Sequence, residues 1–274
     1  MLSRRLVLLL CLPVFGTGCA TRETIPNVRA RNVNSIKVGA VRRHGPETLL
    51  GSSSEPDVPS GVSIGVQRMH ALYNQEPRYF IPASGELQVV SLERAARYNT
   101  KWHDFEEDVR GWKALLAADR LPSALRQAGQ QLTEIPWMNA AHVFLAKPRR
   151  RTYPWGKAIL FLTTYVQGST GAPVNNDTLV LVAQGITNDG RYAVNGRFEI
   201  RHPKLPVSTY TGRASGKVYF MKDDEYRTGR AGRWLNAQSD DSFEPTFGEY
   251  DGFLAGLRIS PPLSRQVLTP GSSR

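Results

Sequence analysis

The chain has 274 residues, of which 41% are apolar and five are tryptophan, and it carries a formal charge of +11. That length suits one large domain with tails or two small ones, and the apolar content is enough for a sizeable core. A balance this basic would point to nucleic acid in a cytoplasmic protein, but the N-terminus removes that partner.

Arg4 and Arg5 precede an apolar run from Leu6 to Phe15, broken only by Pro13, and Gly16, Thr17 and Gly18 lead to Cys19. A charged start, a short apolar stretch and small residues before a cleavage point make a secretory signal, too short for a stable transmembrane helix. No other segment is long and apolar enough to span, so the mature protein is not expected to be integral. The residues before Cys19 resemble a lipobox, with Gly16 where a lipobox usually carries leucine. Cleavage before Cys19 and lipidation of its thiol are therefore expected, with cleavage near Ala20 to a soluble periplasmic protein as the alternative. The other cysteine, Cys11, leaves with the signal, so the mature chain has no pair from which to form an internal disulfide. Ala20 stands where an aspartate would resemble an inner-membrane retention signal, so the periplasmic face of the outer membrane is the expected address. Outside the cytoplasm the anionic partners that remain are phospholipid or lipopolysaccharide headgroups, acidic cell-wall polymers or an acidic protein; charge spread for solubility is the plainer account.

The expected organisation is a signal peptide over 1–18, a lipid-anchored tether over 19–34, a single domain over 35–260 and a flexible tail over 261–274. Ser35–Val41, Gly61–Tyr73 and Glu86–Val90 carry alternating or β-branched residues and predict strands, with a loop over His44–Pro59. Ser91 reads as the N-cap of a short helix bearing Leu92, Ala95, Ala96 and Asn99. Asp104 precedes a clearer helix. Glu106, Glu107 and Asp108 load its first turn, and Phe105, Val109, Trp112, Leu115 and Leu116 form its apolar stripe. A second helix is expected from Leu125 to Leu132.

From residue 141 the period changes to two. His142–Ala146 predicts a strand, and Lys157–Val166 and Thr178–Thr187 are apolar on both faces, as central strands are. Asn188-Asp189-Gly190-Arg191 predicts a tight primed turn. On the return strand Tyr192, Val194, Phe198 and Ile200 face the core, while Arg191, Asn195, Arg197, Glu199 and Arg201 face water or a partner. Lys217–Met221 suggests another strand, and Tyr226–Gln238 a helix weakened by Gly229 and Gly232. Thr246 and Glu249 form a capping box before Phe247, Tyr250, Leu254 and Leu257. The fold class is α+β, an antiparallel sheet with helices packed mainly on one face.

The segments IPWMNAAHVF (Ile135–Phe144), LFLTTY (Leu160–Tyr165), PVNND (Pro173–Asp177) and QGITNDGRYAVNGRFEIRHPKLP (Gln184–Pro206) resemble a set of uncharacterised exported bacterial proteins, many with lipoprotein signals. Phe243-Glu244-Pro245 and Gly256-Leu257-Arg258-Ile259 fit the same pattern. The resemblance implies an exported envelope protein and brings no site residues. The layout is also similar to the single-sheet sandwich of PsbP-like and Mog1-like proteins, which are binding and assembly factors; that is an analogy of fold alone.

No motif amounts to a catalytic, metal or cofactor site. His44, His70, His103, His142 and His202 lack partners at metal-ligand spacing, and His142 reads as a packed or edge histidine. No Gly-x-Ser-x-Gly occurs. Gly212–Lys217 is one residue short of a phosphate loop, and the acidic runs Asp223-Asp224-Glu225 and Asp240-Asp241 lack the remaining ligands of a calcium loop. The unusual surface feature is Lys147, Arg149, Arg150, Arg151, Tyr153, Trp155 and Lys157, crowded on the tip between two predicted strands and suited to an anionic headgroup layer or a partner. A solvated loop, or cations that blunt a sheet edge, explains it too. The expected function is a non-enzymatic envelope lipoprotein that binds a protein or envelope ligand, without a cofactor. An immunity lipoprotein against a secreted toxin such as a phospholipase, and an enzyme with a dispersed site, are the alternatives.

Overall fold

The structure is a computed structural model that describes residues 25–32, 36–44, 59, 61–68, 85–99, 104–119, 121, 133–136, 140–166, 174–207, 215–220 and 229–260. The signal, Cys19, His70, His103, the helix expected over Leu125–Leu132 and the tail lie outside these residues, as does most of the loop expected over His44–Pro59.

Seven strands form one antiparallel sheet. They are β2 (Ile36–His44), β3 (Gly61–Arg68), β4 (Gly85–Ser91), β6 (Ala146–Tyr153), β7 (Gly156–Thr163), β9 (Val180–Thr187) and β10 (Tyr192–Glu199), in the order β2-β3-β4-β10-β9-β7-β6. Two meanders are thus joined by pairing β4 against β10, with Val194 opposite Val89. Two small pairs flank it: β1 (Asn27–Arg29) with β11 (Arg258–Ser260), and β5 (Ala141–His142) with β8 (Tyr165–Val166). The class is α+β, as expected.

Strand alternation splits the apolar residues between two cores. Leu160, Leu162, Leu181, Ala183, Tyr192, Val194 and Phe198 face one side, where α2 (Arg230–Asn236) and α3 (Phe247–Ala255) bring Leu235, Phe247, Tyr250, Phe253 and Leu254. Ile159, Phe161, Val180, Val182, Ile186 and Ala193 face the other, under Phe105, Val109, Trp112 and Leu116 of α1 (Phe105–Ala117). Two of the three described helices therefore share a face and α1 covers part of the opposite one. Both ends of this arrangement are fixed by local chemistry. The Asp104 side chain accepts the Glu107 N–H at 2.9 Å to start α1. Thr246 and Glu249 exchange hydrogen bonds at 3.2 and 2.8 Å to start α3.

Several expectations change in the folded chain. Ser91 ends β4 instead of capping a helix. Its Oγ accepts the Glu93 N–H at 3.2 Å, and the expected helix is one 3-10 turn, Ala95–Tyr98, that begins after Arg94 at φ 68°. The strand expected over His142–Ala146 is two strands: β5 stops at His142, and β6 starts at Ala146 with a register break before Arg149. The hairpin after Thr187 is not a primed two-residue turn. Among its residues only Gly190 has a positive φ, 70°, and its N–H closes on the Thr187 carbonyl at 2.8 Å. Lys217–Phe220 contributes a single bridge, Val174 to Phe220, where a strand was expected. Asn27–Arg29, within the expected tether, is the strand β1, with Val28 against the core.

The largest correction concerns β10. Tyr192, Val194, Phe198 and Ile200 are buried as expected, but the middle of the opposite side does not face water: Asn195 is 1% exposed and the Arg197 side chain 15%, while the Arg191 side chain at its start is 39% exposed. The segment around Glu134 lies against this half of the sheet and supplies hydrogen-bond partners, so polar residues can be covered there at tolerable cost.

Candidate functional site

The basic segment is a strand, not a loop tip. Lys147 to Tyr153 belong to β6, the edge strand beside β7, and Pro154 and Trp155 make the turn. Lys147 adopts φ 54°, a conformation an L-residue rarely takes. It is held there by Asn236, whose Oδ1 accepts its N–H at 2.5 Å, and by its Nζ, which donates to the Gln238 carbonyl at 2.6 Å and pairs with Asp240 at 2.9 Å. Arg149 makes two hydrogen bonds to the same Asp240, and its guanidinium lies 4.0 Å from the centre of the Phe247 ring. Arg150 donates to the Leu115 carbonyl at 2.9 Å, and Arg151 pairs with Asp251 at 3.0 Å. Tyr153 and Trp155 are buried and stacked; the tyrosine hydroxyl donates to Asp251 at 2.7 Å and the indole N–H to the Leu254 carbonyl at 2.7 Å. Burial, then the Asp251 carboxylate, pushes the Tyr153 phenol far up. Lys157 stands apart. It is exposed and lines an open groove of about 230 Å³ with Lys113, Leu116, Ile186, Asn188 and Gly190.

The structure also assembles a polar centre that the sequence did not single out. Glu134, 3% exposed, lies under the sheet where β5, β8, β9 and β10 meet. Its Oε1 accepts from His142 Nε2 at 2.8 Å and from the Tyr165 hydroxyl, and its Oε2 accepts from Asn195 Nδ2 and Arg197 Nε, both at 2.8 Å. Gln184 extends the network: its Oε1 accepts from Asn195 Nδ2 and from the Ile135 N–H, each at 3.0 Å. Burial by itself would raise the Glu134 pKa. The Arg197 charge and the hydrogen bonds from His142 and Tyr165 outweigh it and hold the carboxyl well below the usual carboxylate range. Because ionised carboxylate only accepts, the His142 Nε2 carries a proton. His142 is the packed histidine the sequence suggested, edge-on to Phe161 at 5.3 Å. The signal for the rest was present but faint: Asn195 and Arg197 sit on the strand next to β9, which is apolar on both faces and so must be covered.

A serine and a histidine also meet. His202, 2% exposed, lies 3.1 Å from Ser242 Oγ through Nε2. Its Nδ1 accepts the Lys204 N–H at 3.2 Å, so Nε2 is the protonated nitrogen and donates to the serine, whose own hydroxyl donates to the Ser239 carbonyl at 2.6 Å. A general base needs the reverse. The ring is a packing element, edge-on to Trp234 and Phe243 at 4.9 and 5.0 Å. Burial, then Lys204 and Lys217, keeps its pKa below the ordinary histidine value. Among the described residues no group of three or more His, Cys, Asp or Glu side chains is placed to hold a metal ion, and no helix is long and apolar enough to cross a membrane. Compared with protein-family models, curated proteins and solved structures, the chain matches none.

Proposed function

We propose that the protein is a non-enzymatic envelope protein, held to the outer membrane by lipid on Cys19, that binds a protein partner in the periplasm. The observation that supports this most is the state of Glu134. Both oxygens of this buried carboxylate are occupied by four donors from three strands of the fold itself, His142 of β5, Tyr165 of β8, and Asn195 and Arg197 of β10. A carboxylate so engaged, with its pKa held down, neither accepts a substrate proton near neutrality nor offers a free lone pair to a ligand. It stiffens the platform on which an outer surface is displayed. The position of Cys19, after a short apolar run and three small residues, supports the anchor.

The reading is tested in intact cells in two steps. Radiolabelled palmitate should enter the wild type and not Cys19→Ser, and the variant should leave the membrane fraction or remain unprocessed. A photo-crosslinker placed at Lys157 should yield a discrete adduct with another envelope protein. An unlabelled wild type would overturn the anchor, and absence of any adduct from this or other exposed positions would overturn the binding role. A purified protein that turned over an envelope substrate, and lost that turnover in folded Glu134→Gln, would overturn the non-enzymatic reading.

A further inference from the structure

The cations of β6 are tied to carboxylates and carbonyls of the fold. At the other end of the sheet the acceptors are Asn27 for Arg43 and the Ala255 and Leu257 carbonyls for Arg258, with no carboxylate among them. Arg29 and Arg31 lie on and just after β1, Arg43 on the edge strand β2, and Arg258 on β11, and all four are exposed. None of them pairs with a carboxylate among the described residues. Arg29 and Arg258 are direct cross-strand neighbours. Like charges opposite each other destabilise a strand pair, so this pairing is costly unless something anionic lies over it. Val28 and Ile259, the neighbours in register, pack against the core. By alternation the two arginines face outward, on the same side as Asn27. The Arg43 guanidinium joins them there, donating to Asn27 Oδ1 at 2.6 Å. Arg31 passes beside Gly256, two residues before Arg258.

This patch stands at the end of the domain nearest the anchor. Five residues separate Cys19 from Ile25, which packs against the core. A chain of that length spans at most about 20 Å, so lipid on Cys19 would keep β1 close to the bilayer surface. Polybasic segments beside a membrane attachment point are drawn to anionic headgroups over about a Debye length, roughly 8 Å at physiological ionic strength.

We infer that the outer face of the β1–β11 pair, with Arg29, Arg31, Arg43 and Arg258, lies on the anionic phospholipid headgroups of the membrane that holds Cys19. The inference rests on the anchored reading above. It fixes an orientation: one end of the sheet is turned to the lipid, and the α1 side and the groove at Lys157 stay open to the periplasm.

The test uses exported Cys19→Ser protein whose signal has been removed, so that neither an acyl chain nor the apolar run Leu6–Phe15 contributes, with vesicles of phosphatidylglycerol and phosphatidylethanolamine or of phosphatidylcholine alone. Sedimentation should recover the protein with the anionic vesicles and not the neutral ones, and added salt should release it. Each basic residue near an anionic surface favours binding about fivefold, so R29A/R43A/R258A should weaken partitioning on the order of a hundredfold. Lys113→Ala with Lys157→Ala should leave it unchanged. Circular dichroism and thermal unfolding identify any variant that has failed to fold, and the single variant Arg29→Ala then serves, with about a fivefold loss expected. Equal recovery on both vesicle types, no recovery on either, or a folded triple variant that binds like its parent overturns the inference; no recovery on either would leave the patch to an acidic macromolecule. The palmitate experiment fails independently of these outcomes, so loss of the anchor and loss of the headgroup contact are distinguishable.

Discussion

Glu134 and Arg197 are 63 residues apart in the chain and meet at 2.8 Å beneath the sheet, with side chains 2% and 15% exposed. The contact lets β10 carry an arginine on a covered face, and β10 is the strand that joins the two meanders.

Removing one partner of such a pair leaves the other charge without compensation. Glu134→Ala should destabilise the fold by about 3–5 kcal/mol. Converting Arg197 to Met in the same chain should restore part of that loss, because the orphaned guanidinium is gone. Denaturant unfolding of both single variants and the double measures it; a loss under about 1 kcal/mol for Glu134→Ala would show that the pair contributes no more than a surface contact.

The same carboxylate sets a pH dependence. Its folded pKa lies below the ordinary value of 4.5 because Arg197 and the hydrogen bonds of His142 and Tyr165 outweigh burial. A depressed carboxylate contributes stability that is complete above the unfolded pKa and is lost as pH falls below it. Unfolding midpoints should therefore begin to drop below about pH 5 and go on dropping as the pH falls further, and more steeply for the wild type than for Glu134→Gln. Asp240 is held low as well, first by its bond to Arg149, with burial opposing and Lys147 adding to the effect. It adds a slope of the same sign that both proteins share. Parallel curves for the two would remove Glu134 from the account.

Arg149 and Asp240 offer a contrast in kind. Arg149 is mostly covered, and Asp240 is 42% exposed, so solvent screens the pair and its coupling in a double-mutant cycle should be modest, about 0.5–1 kcal/mol. Arg149→Ala should cost more than that coupling, because the guanidinium also covers the Phe247 ring. Arg42→Ala, at an exposed position of β2, should shift stability by less than about 0.5 kcal/mol. Equal effects of Arg149→Ala and Arg42→Ala on the melting temperature would mean that β6 is not tied down by its charges.

Two glycines should respond in opposite directions to alanine. At Gly156, which opens β7, an added Cβ would stand 2.2 Å from the Ile186 carbonyl oxygen and 2.8 Å from the Thr187 Cα, both backbone atoms of the paired strand. Gly156→Ala should cost about 1–3 kcal/mol or more. At Gly111, exposed on α1, an added Cβ meets nothing within 4 Å, and Gly111→Ala should stabilise by about 0.5–1 kcal/mol through helix propensity. Thermal unfolding of the two variants side by side checks the register of the β7–β9 ladder and the exposure of that helix face together.

What the sequence by itself determined is what short-range chemistry controls. The Asp104 cap with its acidic first turn, the Thr246–Glu249 box and the unbroken apolar run of β9 each depend on residues a few positions apart, and each stands in the folded chain as it reads in the sequence. The core side of β10 follows from alternation in the same way. Only the tertiary structure decided which faces are covered and where charges find partners. Lys147 and Arg149 reach an aspartate more than ninety positions downstream in Asp240, and Asn195 and Arg197 reach back to Glu134. Alternation tells two faces of a strand apart, but strand order and the segments laid over the sheet decide whether the polar face meets water. The cations of β6, adjacent in the chain, therefore read as an open loop tip, while the exposed arginines on β1, β2 and β11 form no cluster in the sequence. They are spread along the chain and come together only when its two ends pair.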